Sequence, residues 1–221
     1  MIDLSMNKKM IFILILAAFL RLFMLNKVPA SLNWDEVSMG YTAYSLAHTG
    51  MDEWGEKLPL FFRSYGEWKS AVYIYALVPF VQIFGLNAWA VRLPSALAGI
   101  ASVWLIYLLT RKLYGEKIGL WSAFLMSVTP WHLMLSRPAF EANMSLTLLL
   151  AGTYLFFESK FFWSAVFFGL APHTYNSAKF VIPVFTIYLF LLKRKELSFK
   201  KIFIFFFTLA IFAYPILINL S

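Results

Sequence analysis

The 221-residue chain has no cysteine, which removes disulfides, thiolate nucleophiles and thiolate metal sites. Its three histidines, His48, His132 and His173, lack ligand spacing, so the donor set argues against zinc. Charged residues are scarce at 14%, and acids are scarcer than bases, with 11 Asp and Glu against 19 Lys and Arg. That shortage makes each acid in an apolar chain worth explaining. No glycine-rich phosphate loop occurs, which argues against a nucleotide substrate or a nucleotide cofactor. No serine sits in a nucleophile elbow, and neither an internal repeat nor a low-complexity tract is present.

What the chain does have is hydrocarbon. Apolar residues make up 61% and aromatics 19%, far from the composition of a soluble domain. The composition predicts an all-α polytopic membrane protein forming a single module over residues 1–221. The net charge of +8 comes from short basic clusters between apolar runs, not from a basic face with stacking aromatics. Such clusters mark cytoplasmic loops and argue against nucleic acid as a partner.

Lys8 and Lys9 precede the first apolar run, residues 10–26, so the N-terminus is expected in the cytoplasm and residues 27 onward outside. Val28-Pro29-Ala30 faintly resembles a signal-peptidase site, but Arg21 lies inside what would be the apolar core, and cleavage is not expected. Residues 27–87 form the first external loop. A helix is predicted from about residue 35 to 48, stopped by Gly50, with Ser31 and Asn33 as competing caps. The apolar stretch 71–84 would be only about 22 Å long as a helix, against roughly 30 Å of hydrocarbon. If it crossed, the clusters Arg111-Lys112 and Lys193-Arg194-Lys195 would face outward, so it is read as a juxtamembrane helix. Spans follow at about 88–110, 118–135, 143–158, 161–175, 180–192 and 202–220, making seven. Pro130, Pro172, Pro183 and Pro215 should kink or end helices. The last span runs to the end of the sequence, which reads as incomplete.

On this topology the outer face gathers Asp35, Glu36, Glu67, Lys69, Arg92, Arg137, Glu141, His173, Tyr175, Asn176 and Lys179. Ionisable groups converging at one depth from separate segments suggest a polar cavity, although any one of them could be an ordinary interfacial residue. Asp35 and Glu36 point roughly 100° apart on a helix, so one would face the cavity and the other support it or reach a backbone group. Arg137 could fork two hydrogen bonds to a phosphate. Glu67 and Glu141 are candidate ligands for a divalent cation, with water or substrate phosphate completing the shell.

Asn33-Trp34-Asp35-Glu36 with Tyr41 and Leu46, then Glu67 and Lys69, then Val91-Arg92, then Ser136-Arg137-Pro138 with Glu141, and the stretch 175–183, resemble the polyprenyl-phosphate-sugar-dependent integral-membrane glycosyltransferases of the C fold. The likeness is to the branch of protein O-mannosyltransferases and lipid A aminoarabinose transferases, and it covers nearly the whole chain. It implies a seven-span module whose first external loop carries the catalytic carboxylate, with that loop's helices along the membrane. Asp35 would be the first-loop acid, Glu141 the second, and Lys69 and Arg137 would loosely match phosphate-contacting cations. Trp68 separates Glu67 from Lys69 where aminoarabinose transferases keep the pair adjacent, and members of the family continue beyond this module.

The resulting expectation is an inverting transferase in the cell membrane, its site outside. It would move a hexose or pentose from a polyprenyl-phosphate carrier to a protein, lipid or glycan acceptor. Asp35 is the expected general base, Glu36 and Glu141 are further catalytic candidates, and Glu67, Lys69, Arg92, Arg137, His173, Tyr175 and Lys179 are substrate-binding candidates. The alternatives are a non-catalytic module that binds lipid-phosphate sugar with a partner subunit, and a small transporter or flippase. The transporter fits less well, because the polar residues gather at one face rather than the midplane.

Overall fold

The computed structural model describes residues 8–64, 66, 68–194 and 197–218, so Glu67 and Lys195 lie outside the described residues. In order the elements are α1 (Lys8–Leu22), α2 (Trp34–Thr49), a two-stranded antiparallel hairpin of β1 (Phe61–Arg63) and β2 (Trp68–Ser70), α3 (Ala71–Phe84), α4 (Ala88–Tyr114), α5 (Glu116–Val128), α6 (Pro130–Ser136), α7 (Glu141–Phe157), α8 (Phe161–Leu170) with a 3-10 turn (Ala171–His173), α9 (Ala178–Leu192) and α10 (Phe199–Ile218). The chain is an all-α membrane protein in class. Its hairpin, pairing Phe62 with Lys69, is an addition to the expected helices.

Helix α4 is the axis of the molecule. Arg92 near its start and Arg111 near its end are 19 residues apart, about 28 Å along a helix and close to the hydrocarbon thickness of a bilayer. Among the described residues, α4 and α10 are each long and apolar enough to cross a membrane, and α5 with α6 makes a third if the pair, bent by 61°, counts as one span. The break follows from Pro130 at the first position of α6, whose ring cannot continue α5. Helix α1 has 15 residues and α9 has 15, each about 22 Å long, short of a perpendicular crossing.

Small and hydroxyl residues let the helices approach. Asn143 Nδ2 donates to the Ser95 carbonyl at 2.7 Å, and Ser102 and Thr147 hydroxyls meet at 2.7 Å, stitching α7 to α4. A methyl on Gly99 would fall 2.5 Å from Ser136 Cβ and 2.9 Å from Arg21 Nε. That space admits Arg21, a fully buried cation in an apolar helix. Its guanidinium donates to the carbonyls of Ala17, Met126 and Ser127 and lies 2.7 Å from His132 Nδ1. Because guanidinium only donates, His132 Nδ1 must accept. Arg21 thereby satisfies carbonyls that the break after α5 would strand in hydrocarbon.

The opposite ends of α4 are charged in different ways. At its C-terminal end Lys112 pairs with Glu158 at 2.6 Å, tying α4 to the end of α7. At its N-terminal end α2, the hairpin and α3 form a cap over the bundle, with Met39, Ala43, Phe62, Ile74, Leu77 and Val91 in one buried cluster. Gly40 allows the close crossing of α2 over α4, since a Cβ there would stand 2.8 Å from a Val91 methyl.

Candidate active site

Helix α2 begins with a capping box. Asn33 Oδ1 accepts from the Glu36 amide at 2.8 Å, and Glu36 Oε2 accepts from the Asn33 amide at 3.0 Å. Gly50, left-handed at φ 69°, closes the helix. Between these stops, Asp35 and Glu36 diverge as adjacent helical positions must. Asp35 remains about one-third exposed, while Glu36 is buried.

Glu36 is fully occupied. Besides the Asn33 amide it accepts from Arg92 Nε at 2.8 Å, Arg92 Nη2 at 3.2 Å and the Ala139 amide at 3.0 Å. Arg92 is equally committed, donating to the carbonyls of Leu25, Pro29 and Ser31. This buried ion pair stays satisfied because nearly every donor and acceptor has a partner. Glu36 and Arg92, read from sequence as catalytic and substrate-binding candidates, here fasten the first loop to α4 and to the start of α7.

Arg137 differs from its expected role in the same way. Its guanidinium donates to the carbonyls of Leu20, Phe23 and Val28, capping the end of α1. Burial, and then the nearby positive charge of Arg92, draw its pKa below the ordinary arginine value. No fork is left facing a phosphate. His173 is buried, and its Nε2 donates to the Phe212 carbonyl at 2.7 Å, linking the end of α8 to α10. Lys179 stands 5.8 Å over the Phe61 ring.

The remaining candidates do meet. Asp35, Lys69, Glu141, Tyr175 and Asn176 line one cavity of about 160 Å³, together with Trp68, Ser70 and Thr174. They come from α2, β2, the first residue of α7 and the turn before α9. Lys69 Nζ, almost buried, donates to Asp35 Oδ1 at 2.6 Å. The register of the hairpin puts Lys69 on the inner side between exposed Trp68 and buried Ser70. Trp68 and Ser70 were not picked out as lining residues from sequence. Their only signal was adjacency to Lys69.

Two neighbouring hollows share walls with this cavity. A crevice of about 150 Å³ shares Tyr175 and is walled by Trp131, Leu135, Leu146, Leu149 and Val181. A larger hollow of about 790 Å³ shares Trp68 and is lined by Tyr41, Glu53, Trp54 and Arg63 among others, with Arg63 stacked 4.9 Å over Trp54. Among the described residues no three His, Asp or Glu side chains cluster as a metal site. Of the two expected cation ligands, Glu141 lines the cavity and Glu67 lies outside the described residues.

A buried, multiply bonded acid thus lies beside a cavity with two further carboxylates and a lysine, a charged site at one end of the apolar helical bundle of a membrane protein. The family comparison makes this specific: residues 69–220 match the model of the dolichyl-phosphate-mannose-protein mannosyltransferases, and the chain belongs to that family. Lys69, Glu141 and Tyr175 fall within the matched residues, and Asp35 precedes them. Two proteins of Bacillus subtilis are similar. "Putative mannosyltransferase YycA" is 31% identical over 142 residues, covering 61% of this chain and 21% of the relative. "Putative mannosyltransferase YkcB" is 31% identical over 114 residues, covering 48% and 16%. The chain thus spans about a fifth of the length of the relatives it matches. No solved structure matches.

Proposed function

We propose that this chain carries the donor and base subsites of an inverting glycosyltransferase that uses a polyprenyl-phosphate sugar at the outer face of the cell membrane. The observation that carries the reading is the Asp35–Lys69 pair in a cavity that also presents Glu141. The polar cavity suits a phosphosugar, and the apolar crevice beyond Tyr175 suits the first isoprene units of its carrier. The hollow beyond Trp68 is the approach left for an acceptor. Seven membrane passages, with the N-terminus cytoplasmic and the first loop outside, belong to the same proposal.

In the proposed step an acceptor hydroxyl gives its proton to Asp35 while its oxygen bonds to the anomeric carbon. The bond from that carbon to the phosphate oxygen breaks, the electron pair stays with the phosphate, and the configuration inverts. Charge grows on the leaving phosphate. Lys69 has three N–H donors and spends one on Asp35, so a bound phosphate can draw on the other two and loosen the ion pair as it does so. Glu141 is the described carboxylate that would hold a divalent cation if the reaction uses one, with substrate phosphate and water as its other ligands.

The second reading, a partner-dependent module that binds the donor without transferring it, is favoured by the ion pair itself, which keeps the base occupied until donor arrives. Membranes containing this chain, a labelled polyprenyl-phosphate mannose and a mixed acceptor pool separate the two. Release of carrier phosphate supports transfer, and bound but intact donor supports the module. Asp35→Asn should lower release by at least about 10³-fold while donor binding stays within a few-fold; unchanged release would remove Asp35 from the mechanism.

A further inference from the structure

At the other end of α4 a cleft of about 750 Å³ opens between α1 and α5. Its mouth is set by Lys8, Lys9 and Lys117, and its walls by Phe12, Trp121 and Phe124 with the smaller Ile13 and Leu120. Lys8 and Phe12 are four residues apart on α1, as are Lys117 and Trp121 on α5, so each helix sets an ammonium one turn above an aromatic ring on the same face. Phe12 and Trp121 remain more than half exposed although both helices pack on α4. Among the described residues no carboxylate lines the cleft. The nearest acid in sequence, Glu116, accepts from the Tyr107 hydroxyl at 2.9 Å and pairs with Arg111 at 3.8 Å.

We propose that this cleft binds an anionic glycerophospholipid, its phosphodiester held between Lys8 and Lys117 and its first acyl carbons lying against Phe12, Trp121 and Phe124. Charge complementarity selects the headgroup, since a zwitterionic lipid brings its own cation to a site already rich in them. Depth fits as well. From Lys117 to Phe124 is about 10 Å along α5, the reach of a glycerol and the upper part of an acyl chain. Trp121 sits where an indole suits the headgroup boundary. The site is separate from the Asp35 cavity and does not depend on its chemistry.

The test is quenching of Trp121 by brominated lipid in vesicles of otherwise unlabelled phosphatidylcholine. The chain has eight tryptophans, so the Trp121 signal is taken as the difference between wild type and Trp121→Phe. Brominated phosphatidylglycerol should half-quench that signal at about fivefold lower mole fraction than brominated phosphatidylcholine. Lys8→Gln with Lys117→Gln should equalise the two lipids, and Lys8→Arg with Lys117→Arg should keep the preference. Equal quenching in the wild type would overturn the proposal, as would a preference that survives the glutamine pair. Absence of quenching by either lipid would overturn it too.

Discussion

Lys69 Nζ stands 2.6 Å from Asp35 Oδ1, joining a short strand to the first turn of a helix 34 residues earlier. The lysine is nearly buried, whereas the aspartate is about one-third exposed. In the proposed reaction that pair opens as donor binds.

Replacing Lys69 by Met keeps the aliphatic stem and removes the ammonium. We expect donor affinity to fall by about tenfold and turnover by about 10²- to 10³-fold, because the group matters most when charge leaves with the phosphate. Single-turnover release of labelled carrier phosphate checks this. A loss confined to donor affinity would reduce Lys69 to a ground-state contact.

Glu36→Gln distinguishes support from chemistry. Breaking a buried pair by neutralising one partner costs roughly 3 kcal/mol or more, here leaving Arg92 charged beneath the cap. The apparent melting temperature should drop by roughly 6 to 12 °C. The fraction still folded should retain turnover within about threefold, since Glu36 lies outside the cavity. Full stability with abolished turnover would return Glu36 to the catalytic set.

Arg137→Ala removes the donors that cap α1. The expected outcome is earlier thermal unfolding, with the KM for donor changed less than about twofold, because no part of the guanidinium is directed at the cavity. A large rise in KM at unchanged stability would restore the phosphate-binding role that its sequence context suggests.

The lack of cysteine makes single-cysteine labelling clean. Cysteines introduced at Lys57, in the first loop, and at Lys117, at the α4–α5 turn, should react with an impermeant maleimide from opposite sides of the membrane. Reaction of both from one side would break the proposed topology.

How far the residues announce the fold depends on whether an interaction is local. Helix α2 could be bounded in advance because its start and stop are made within a few residues, by Asn33 with Glu36 and by Gly50. Helix α3 was equally legible from its apolar run and the glycine that ends it. The hairpin was not, because strands of three residues carry too little alternation to register. Within the site, the grouping of Asp35, Lys69, Glu141 and Tyr175 followed from placing charge on one side of a bilayer. The arginines did not separate in the same way. Arg92 and Arg137 bond to carbonyls of residues 20 to 31, and a carbonyl has no side-chain signature, so a structural arginine and a phosphate-binding one look alike in sequence. Seven spans were expected from hydropathy and loop charge, whereas among the described residues two helices, or three with the bent α5–α6 pair, are long and apolar enough to cross; a helix as short as α1 or α9 would need a locally thinned bilayer.

The fastening around Glu36 also imposes an order on biosynthesis. Its guanidinium partner is made 56 residues later and its last amide donor, Ala139, 103 residues later. At about 5 to 20 residues per second, the emerging first loop must wait some 3 to 11 seconds for Arg92. Until then its acid lacks the partners that bury it, and the wall of the Asp35 cavity cannot close before the ribosome has passed Glu141 at the start of the seventh helix.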